Sequence, residues 1–341
     1  MFALDRMGNE AMGWATRQVG GAAVASGPPA MHIPDGFLST GVSLVLWAVA
    51  VLAIGVALAQ VNRELDERKV PLMGVMAAAI FAGQMLNFSV TGGTSGHLLG
   101  SAIATALLGP WGAIVVMTCV VGTQAILFQD GGLLALGANL VNMAVIGVAV
   151  AYAVFVVSRR LAGRGRFGLM LSGLVAGWTS ILVSALACAL QLALSGTSPA
   201  NLAIPAMGGI HALIGIGEGI ITAAALGLVY TARRDVLERA EDTASVRGLV
   251  VGGLALAVLL AVLSPLASTH PDGLEWVAEE QGFLGAALDA PFRLITDYVF
   301  PGIADEKTAT VVAGIVGIAV VMLAGWLAGG ARRRRESGRS A

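Results

Sequence analysis

Apolar positions in this chain do not alternate, and they do not recur every three or four residues as on a half-buried soluble element. They form long, nearly continuous runs at 41–60, 71–87, 98–109, 110–128, 132–157, 168–195, 205–231, 247–264 and 309–331. A bilayer crossing needs about 20 such residues. The pattern predicts an all-α polytopic membrane protein with about nine transmembrane helices. The third run is short, a length more typical of a re-entrant or broken helix, and Gly109-Pro110 interrupts the chain after it. The stretch 98–128 must therefore cross twice or dip and return.

The polar positions between the runs orient the chain. Arg63, Arg68 and Lys69 follow the first run, and Arg159, Arg160, Arg164 and Arg166 the fifth. Arg233, Arg234, Arg239 and Arg247 follow the seventh, and Arg332 to Arg335 with Arg339 the ninth. With the N-terminus outside and the C-terminus cytoplasmic, all of these fall inside. Of the bases from Met31 onward, only Arg293 and Lys307 fall outside, which is a strong positive-inside pattern. The cell (inner) membrane is the expected location.

Composition agrees. Hydrophobic residues make up 57% and charged residues 12% of the 341, with 46 glycines besides. Mean hydropathy is +0.83. A soluble enzyme of ordinary composition and a disordered chain are both excluded. A net charge of −1 leaves no basic face for nucleic acid. Cys119 and Cys188 lie in apolar runs and read as small buried hydrophobes.

The chain divides into five parts. Residues 1–30 end in Ser26-Gly27-Pro28-Pro29-Ala30 and hold no apolar stretch of signal-peptide type. They read as an extension from a misassigned start, with translation beginning at Met31. Residues 31–234 form a seven-span block rich in Gly and Ala, which lets helices approach closely in lipid. Residues 235–246 are a charged cytoplasmic linker. Residues 247–331 are two spans around a polar outer loop, 265–308, and 332–341 are a basic tail.

The candidate chemistry gathers at one face, where His32, His97 and His270 are placed and His211 lies about two turns below. If Met31 is the first residue, its amine, the His32 backbone nitrogen and the His32 imidazole can chelate one metal in fused rings. Such an all-nitrogen planar set suits Ni(II) or Cu(II) and weakens in acid, because its donors must be deprotonated. His97, in the Gly-rich stretch Gly92-Gly93-Thr94-Ser95-Gly96-His97, is the candidate fourth ligand. His211 and Glu218 share a helix face and are expected to pair and orient the site. Pro271-Asp272-Gly273 reads as a turn. A G-x-x-x-x-G-K-[ST] phosphate loop is absent, so ATP hydrolysis by that route is excluded.

Five motifs in order, MHIPDGFLS at 31–39, GGTSGHLLG at 92–100, LLGPW at 107–111, FQDGGLLALGANLVNM at 128–143 and HALIGIGEGIIT at 211–222, resemble the CbiM/NikM family. These are substrate-binding S components of energy-coupling-factor transporters for cobalt and nickel. PDGLE at 271–275 and DYVFPGI at 297–303 resemble the PDGLE domain fused to or encoded beside them. The resemblance implies a square-planar site of the Met31 amine, the His32 backbone and imidazole nitrogens, and the His97 imidazole. It implies Ni(II) or Co(II) as transported ligand with no resident cofactor. It also implies an integral coupling (T) subunit and cytoplasmic ABC ATPases as partners. The family motif begins at the amino terminus, whereas 30 residues precede it here. The PDGLE region is expected to load metal or hold the N-terminal loop.

Two other readings compete. Gly93-Thr94-Ser95-Gly96 matches the G-x-S-G of rhomboid proteases, with Ser95 and His211 as a nucleophile and base. A self-sufficient secondary transporter would show broken helices in both halves, whereas only 87–110 is broken.

Overall fold

The computed structural model describes residues 32–64, 70–163, 165–232 and 246–330. Helices dominate: α1 Thr40–Glu64, α2 Val70–Gln84, α3 Ser101–Thr123, α4 Leu136–Asn139, α5 Gly147–Ala162, α6 Arg166–Ser195, α7 Ala200–Ala232, α8 Val246–Leu263, α9 Gly273–Glu280 and α10 Glu306–Gly329. Counting α3 to Phe128 and α4–α5 as one element, seven are long and apolar enough to cross a membrane, and α2 is a shorter apolar helix. The chain is an integral, multi-pass, all-α membrane protein. A small exception is the Gly-rich stretch, which folds as an antiparallel hairpin of β1 Phe88–Val90 and β2 Thr94–Gly96, turning on Gly92 and Gly93 at positive φ.

Runs 98–109 and 110–128 meet at a break within α3, where Gly109 has φ 77° and ψ 174°. Pro110 bars the α conformation at the residue before it, and glycine takes the left-handed φ without steric cost. A straight helix over Ser101–Phe128, 28 residues long, would hold its ends about 42 Å apart. Instead, the His97 ring centroid lies 6.0 Å from that of His32, and Asp130 bonds the same His32 ring at 2.9 Å. The chain therefore goes out, reverses at Gly109 and comes back. The first limb, 101–108, covers only about 12 Å against a hydrocarbon core of about 30 Å. It is a dip rather than a full-length crossing.

The segments between helices are tied together at this end. Backbone N–H groups donate from Leu288 to Asp35 O at 2.8 Å, from Ser268 to Asn87 O at 2.8 Å and from Ile295 to Leu127 O at 3.1 Å. Gln281 donates to Leu202 O at 3.1 Å, and the Thr197 hydroxyl donates to Phe37 O. Segments 32–39, 85–100, 127–135, 196–199 and 264–305 thus form one cap. Arg63, Arg159, Arg160 and Arg166 sit at the opposite helix ends.

Small residues set the packing. A Cβ on Gly177 would meet Thr222 Oγ1 at 2.9 Å, and one on Gly219 would meet Leu174 O at 2.7 Å. Gly177 on α6 therefore faces Gly219 on α7, while Gly173 seats Leu226 and Gly215 seats Trp178, an approach that larger residues would prevent. The C-terminal pair α8 and α10 grips α2 in the same way: a Cβ on Gly74 would meet Met322 O at 2.7 Å and one on Gly253 would meet Val75 at 2.3 Å. Two π-helical stretches, Gln124–Phe128 and Leu140–Ile146, flank the cap segment 129–135. Such widened turns often sit beside functional sites.

Candidate metal centre

The segment beginning at His32 enters the cap without regular secondary structure, locked by residues of the 130–135 loop and by Asn139 at the end of α4. Asn139 clamps Ile33 at both backbone groups: Ile33 N–H donates to its Oδ1 at 3.0 Å, and its Nδ2 donates to Ile33 O at 3.1 Å. Asp35 in turn accepts from Leu133 N–H at 3.0 Å and Ala135 N–H at 2.8 Å. Gly132 is obligatory here, because a Cβ would lie 2.1 Å from Asp35 Oδ1. The locked segment presents His32, 3% exposed, with Nδ1 on Asp130 Oδ1 at 2.9 Å and Nε2 buried without a hydrogen-bond partner. Burial disfavours the His32 imidazolium, but the facing Asp130 carboxylate outweighs it and raises the ring above the usual imidazole range. Burial likewise opposes the Asp130 carboxylate, and the charge and hydrogen bonds opposite hold it below the usual range.

His97 follows β2. Its Nδ1 donates to Leu98 O at 3.1 Å, because a carbonyl only accepts, and this leaves the Nε2 lone pair available. Its backbone is fixed by Glu218 from α7. The Glu218 carboxylate, fully buried, accepts from Leu99 N–H at 2.6 Å and Gly100 N–H at 3.1 Å. It thereby caps the entry to the short limb. His211 donates from Nδ1 to Met207 O at 2.9 Å.

His32, His97 and His211 line one cavity of about 90 Å³, along with Asn142, Cys188 and Asp272. The loop 264–305 of the C-terminal pair roofs it. Ser95 N–H donates to Pro271 O at 2.8 Å and Thr94 Oγ1 to the same oxygen at 3.0 Å. The Ser95 hydroxyl donates to His270 O at 2.8 Å. Tyr298 reaches in from the far end of the loop, donating to Asp130 Oδ2 at 2.6 Å and stacking on Phe128 at 4.6 Å.

The expected site residues are placed as follows. Met31 lies outside the described residues. His32 and His97 come together, and His211 joins them in the cavity. The expected pairing of His211 with Glu218 is wrong: seven residues on one helix face stand about 10 Å apart along the axis, and each side chain takes a backbone partner elsewhere. Glu218 instead holds the backbone at Leu99 and Gly100, just after His97. The His270 side chain is exposed and only its carbonyl takes part. Ser95 bonds His270 and not His211, so no nucleophile–base pair forms. Among the described residues no three His, Cys, Asp or Glu side chains converge on one metal-sized point. Sequence reasoning missed Asp130, Asn139, Asp272 and Tyr298 as partners of the ligand segments. Asp130 and Asn139 sat in a quoted motif, but nothing in their spacing tied them to His32 and Ile33. Ser95→Ala is expected to leave metal binding intact and to cost about 1 kcal/mol, read as a small fall in thermal midpoint in detergent.

The capped end of the membrane bundle thus holds an imidazole-lined cavity fit for a small ligand. Comparison with known proteins narrows this. The CbiM family, described as a cobalt uptake substrate-specific transmembrane region, matches residues 32–236, and the PDGLE domain matches 247–334. The chain belongs to the CbiM family and carries a C-terminal PDGLE domain. It is 34% identical over 304 residues to an Archaeoglobus fulgidus protein named for the fused nickel transporter NikMN, covering 87% of this chain and 97% of that one. It is 31% identical to the cobalt transport protein CbiM of Sorangium cellulosum, covering 61% of this chain and 95% of that one. A crystal structure titled as a transition metal transporter superposes with TM-score 0.54 at 34% identity, covering 62% of this chain and 98% of that one. The chain is thus a component of a cobalt- or nickel-type transition-metal transporter.

Proposed function

We propose that this chain is the substrate-capturing subunit of an energy-coupling-factor uptake system for Ni(II) or Co(II). It would bind the ion at the outer face through the Met31 amine, the His32 backbone and imidazole nitrogens, and His97. The observation that carries the reading is the convergence of His32 and His97, 65 positions apart in sequence, on one buried cavity at the end opposite Arg63, Arg159 and Arg166. The positive-inside rule puts that cavity outside. An integral coupling subunit and ABC ATPases would then supply the energy that a chain without a phosphate loop cannot.

Chelation has a consequence for His32. A ring closed between its backbone nitrogen and its own imidazole must run through Nδ1, which Asp130 holds in this structure. A half-turn about Cβ–Cγ presents Nδ1 to the chelate and moves Nε2 to the place of Cε1, from which a shift of the Asp130 carboxylate lets it accept from Nε2–H. The carboxylate then serves as the outer partner of a metal-bound imidazole. With metal–nitrogen bonds of about 2 Å, imidazoles on adjacent corners have centroids about 4–5 Å apart, so loading also draws the two rings together from 6.0 Å. Asp130→Asn is expected to lower Ni(II) affinity about 10- to 100-fold in competition titrations.

The transport reading is tested in proteoliposomes. Uptake of radioactive nickel is expected only when the coupling subunit, the ATPases and internal ATP are present. Sustained, gradient-driven accumulation by this chain alone would replace the reading with a self-sufficient secondary transporter.

A further inference from the structure

The C-terminal domain does more than roof the cavity. Asp272, in the Pro271-Asp272-Gly273 turn, is 3% exposed and lines the same cavity as His32, His97 and His211. One of its oxygens, Oδ1, accepts from Glu275 N–H at 2.8 Å and caps α9. The hydrogen bonds that dock the turn also decide where this side chain goes. Ser95 pairs with Asp272 as a parallel bridge, and the Thr94 and Ser95 donors hold Pro271 O from below. Gly273 completes the seat: a Cβ there would lie 2.8 Å from His211 Cε1 and 2.8 Å from Ile214 Cδ1, so only glycine lets the turn settle against the imidazole. A helix cap needs only an acceptor, and Ser, Thr or Asn serve as well as Asp. Capping does not explain why a carboxyl group, rather than a neutral acceptor, is buried in the lining of a cavity that also holds three histidines.

We propose that Asp272 is a positioning residue of the metal site, contributed by the C-terminal domain: its carboxylate supplies the negative charge that the nitrogen ligands lack. The inference rests on the function proposed above. A divalent ion held by an amine, one deprotonated amide and two neutral imidazoles keeps a net charge of +1. Leaving that charge uncompensated in a buried cavity is costly. Asp130 keeps its negative charge behind the His32 ring, where it accepts from that ring and from Tyr298; Asp272 is the carboxylate that lines the cavity itself. On this account the seven-helix part binds metal weakly by itself, and the fused domain completes the site electrostatically rather than by adding a nitrogen.

Asp272→Asn separates charge from structure, because Asn keeps the cap and the shape. The probe is Ni(II), titrated into detergent-purified protein against a chromophoric chelator, in whichever start form (Met1 or Met31) binds. The expected result is a 10- to 100-fold weaker affinity, with the visible ligand-field band at an unchanged wavelength and the thermal midpoint of the metal-free protein unchanged. Asp272→Ser, a neutral cap, is expected to bind as weakly as Asp272→Asn. Affinity equal to the parent's in Asp272→Asn would overturn the assignment while leaving the function intact. A parent chain that binds no Ni(II) in either form would overturn the proposed function and this inference with it.

Discussion

Replacing His97 by Ala is expected to weaken Ni(II) binding by about a hundredfold or more and to remove the planar ligand-field band. Apparent binding energies of about 10–16 kcal/mol for four-ligand structural sites imply roughly 3 kcal/mol per ligand, which is about two decades in affinity. The fold should survive. His97 is only partly buried, makes one side-chain hydrogen bond, to the neighbouring Leu98 carbonyl, and the loop around it is held by Glu218 and by Pro271. Isothermal titration of the variant, with a thermal melt of the metal-free protein as control, checks both halves. Binding at parental affinity would remove His97 from the ligand set.

Glu218→Ala is expected to show the largest effect on stability. The carboxylate satisfies two buried backbone donors at the entry to the short limb. Each orphaned donor costs about 1–3 kcal/mol, so a loss of about 2–6 kcal/mol is expected. The variant should express poorly or melt early in detergent. Glu218→Gln should be intermediate: it keeps one acceptor, but its amide nitrogen turns a donor toward the second N–H. Because the same two N–H groups fix the backbone beside His97, the surviving folded fraction should also bind metal less tightly. A Glu218→Ala protein with parental stability would show that water or a shifted carbonyl replaces the carboxylate at no cost.

The helices and their alternation were legible because bilayer crossing leaves a strong mark on sequence: long apolar runs, with Arg at one set of ends. The reversal at Gly109-Pro110 was legible too, since a 12-residue run cannot span and the charge pattern fails if 98–128 crosses once. The site was half legible. His32 and His97 stand in distinctive local settings, and ligand chemistry singled them out before any geometry. The groups that hold them did not stand out. Asp130 reaches His32 across 98 positions, Tyr298 reaches Asp130 across 168, and Ser95 reaches His270 across 175. No periodicity encodes such meetings. The mistaken pairing of His211 with Glu218 came from treating a shared face as contact, when two helical turns separate them. Asp272 read as the middle of a turn, which it is, and only the docking of that turn onto β2 directs its side chain into the cavity.

The proposed function turns on a planar nitrogen site that begins at Met31. Its most direct test is a Ni(II) titration of purified protein starting at Met31, beside the full 341-residue chain, followed by visible absorption. A yellow, low-spin planar band with one ion bound is expected in the shorter form only, since an extended chain offers an amide where the amine is needed. Equal binding by both forms, or an octahedral spectrum in the shorter one, would contradict it.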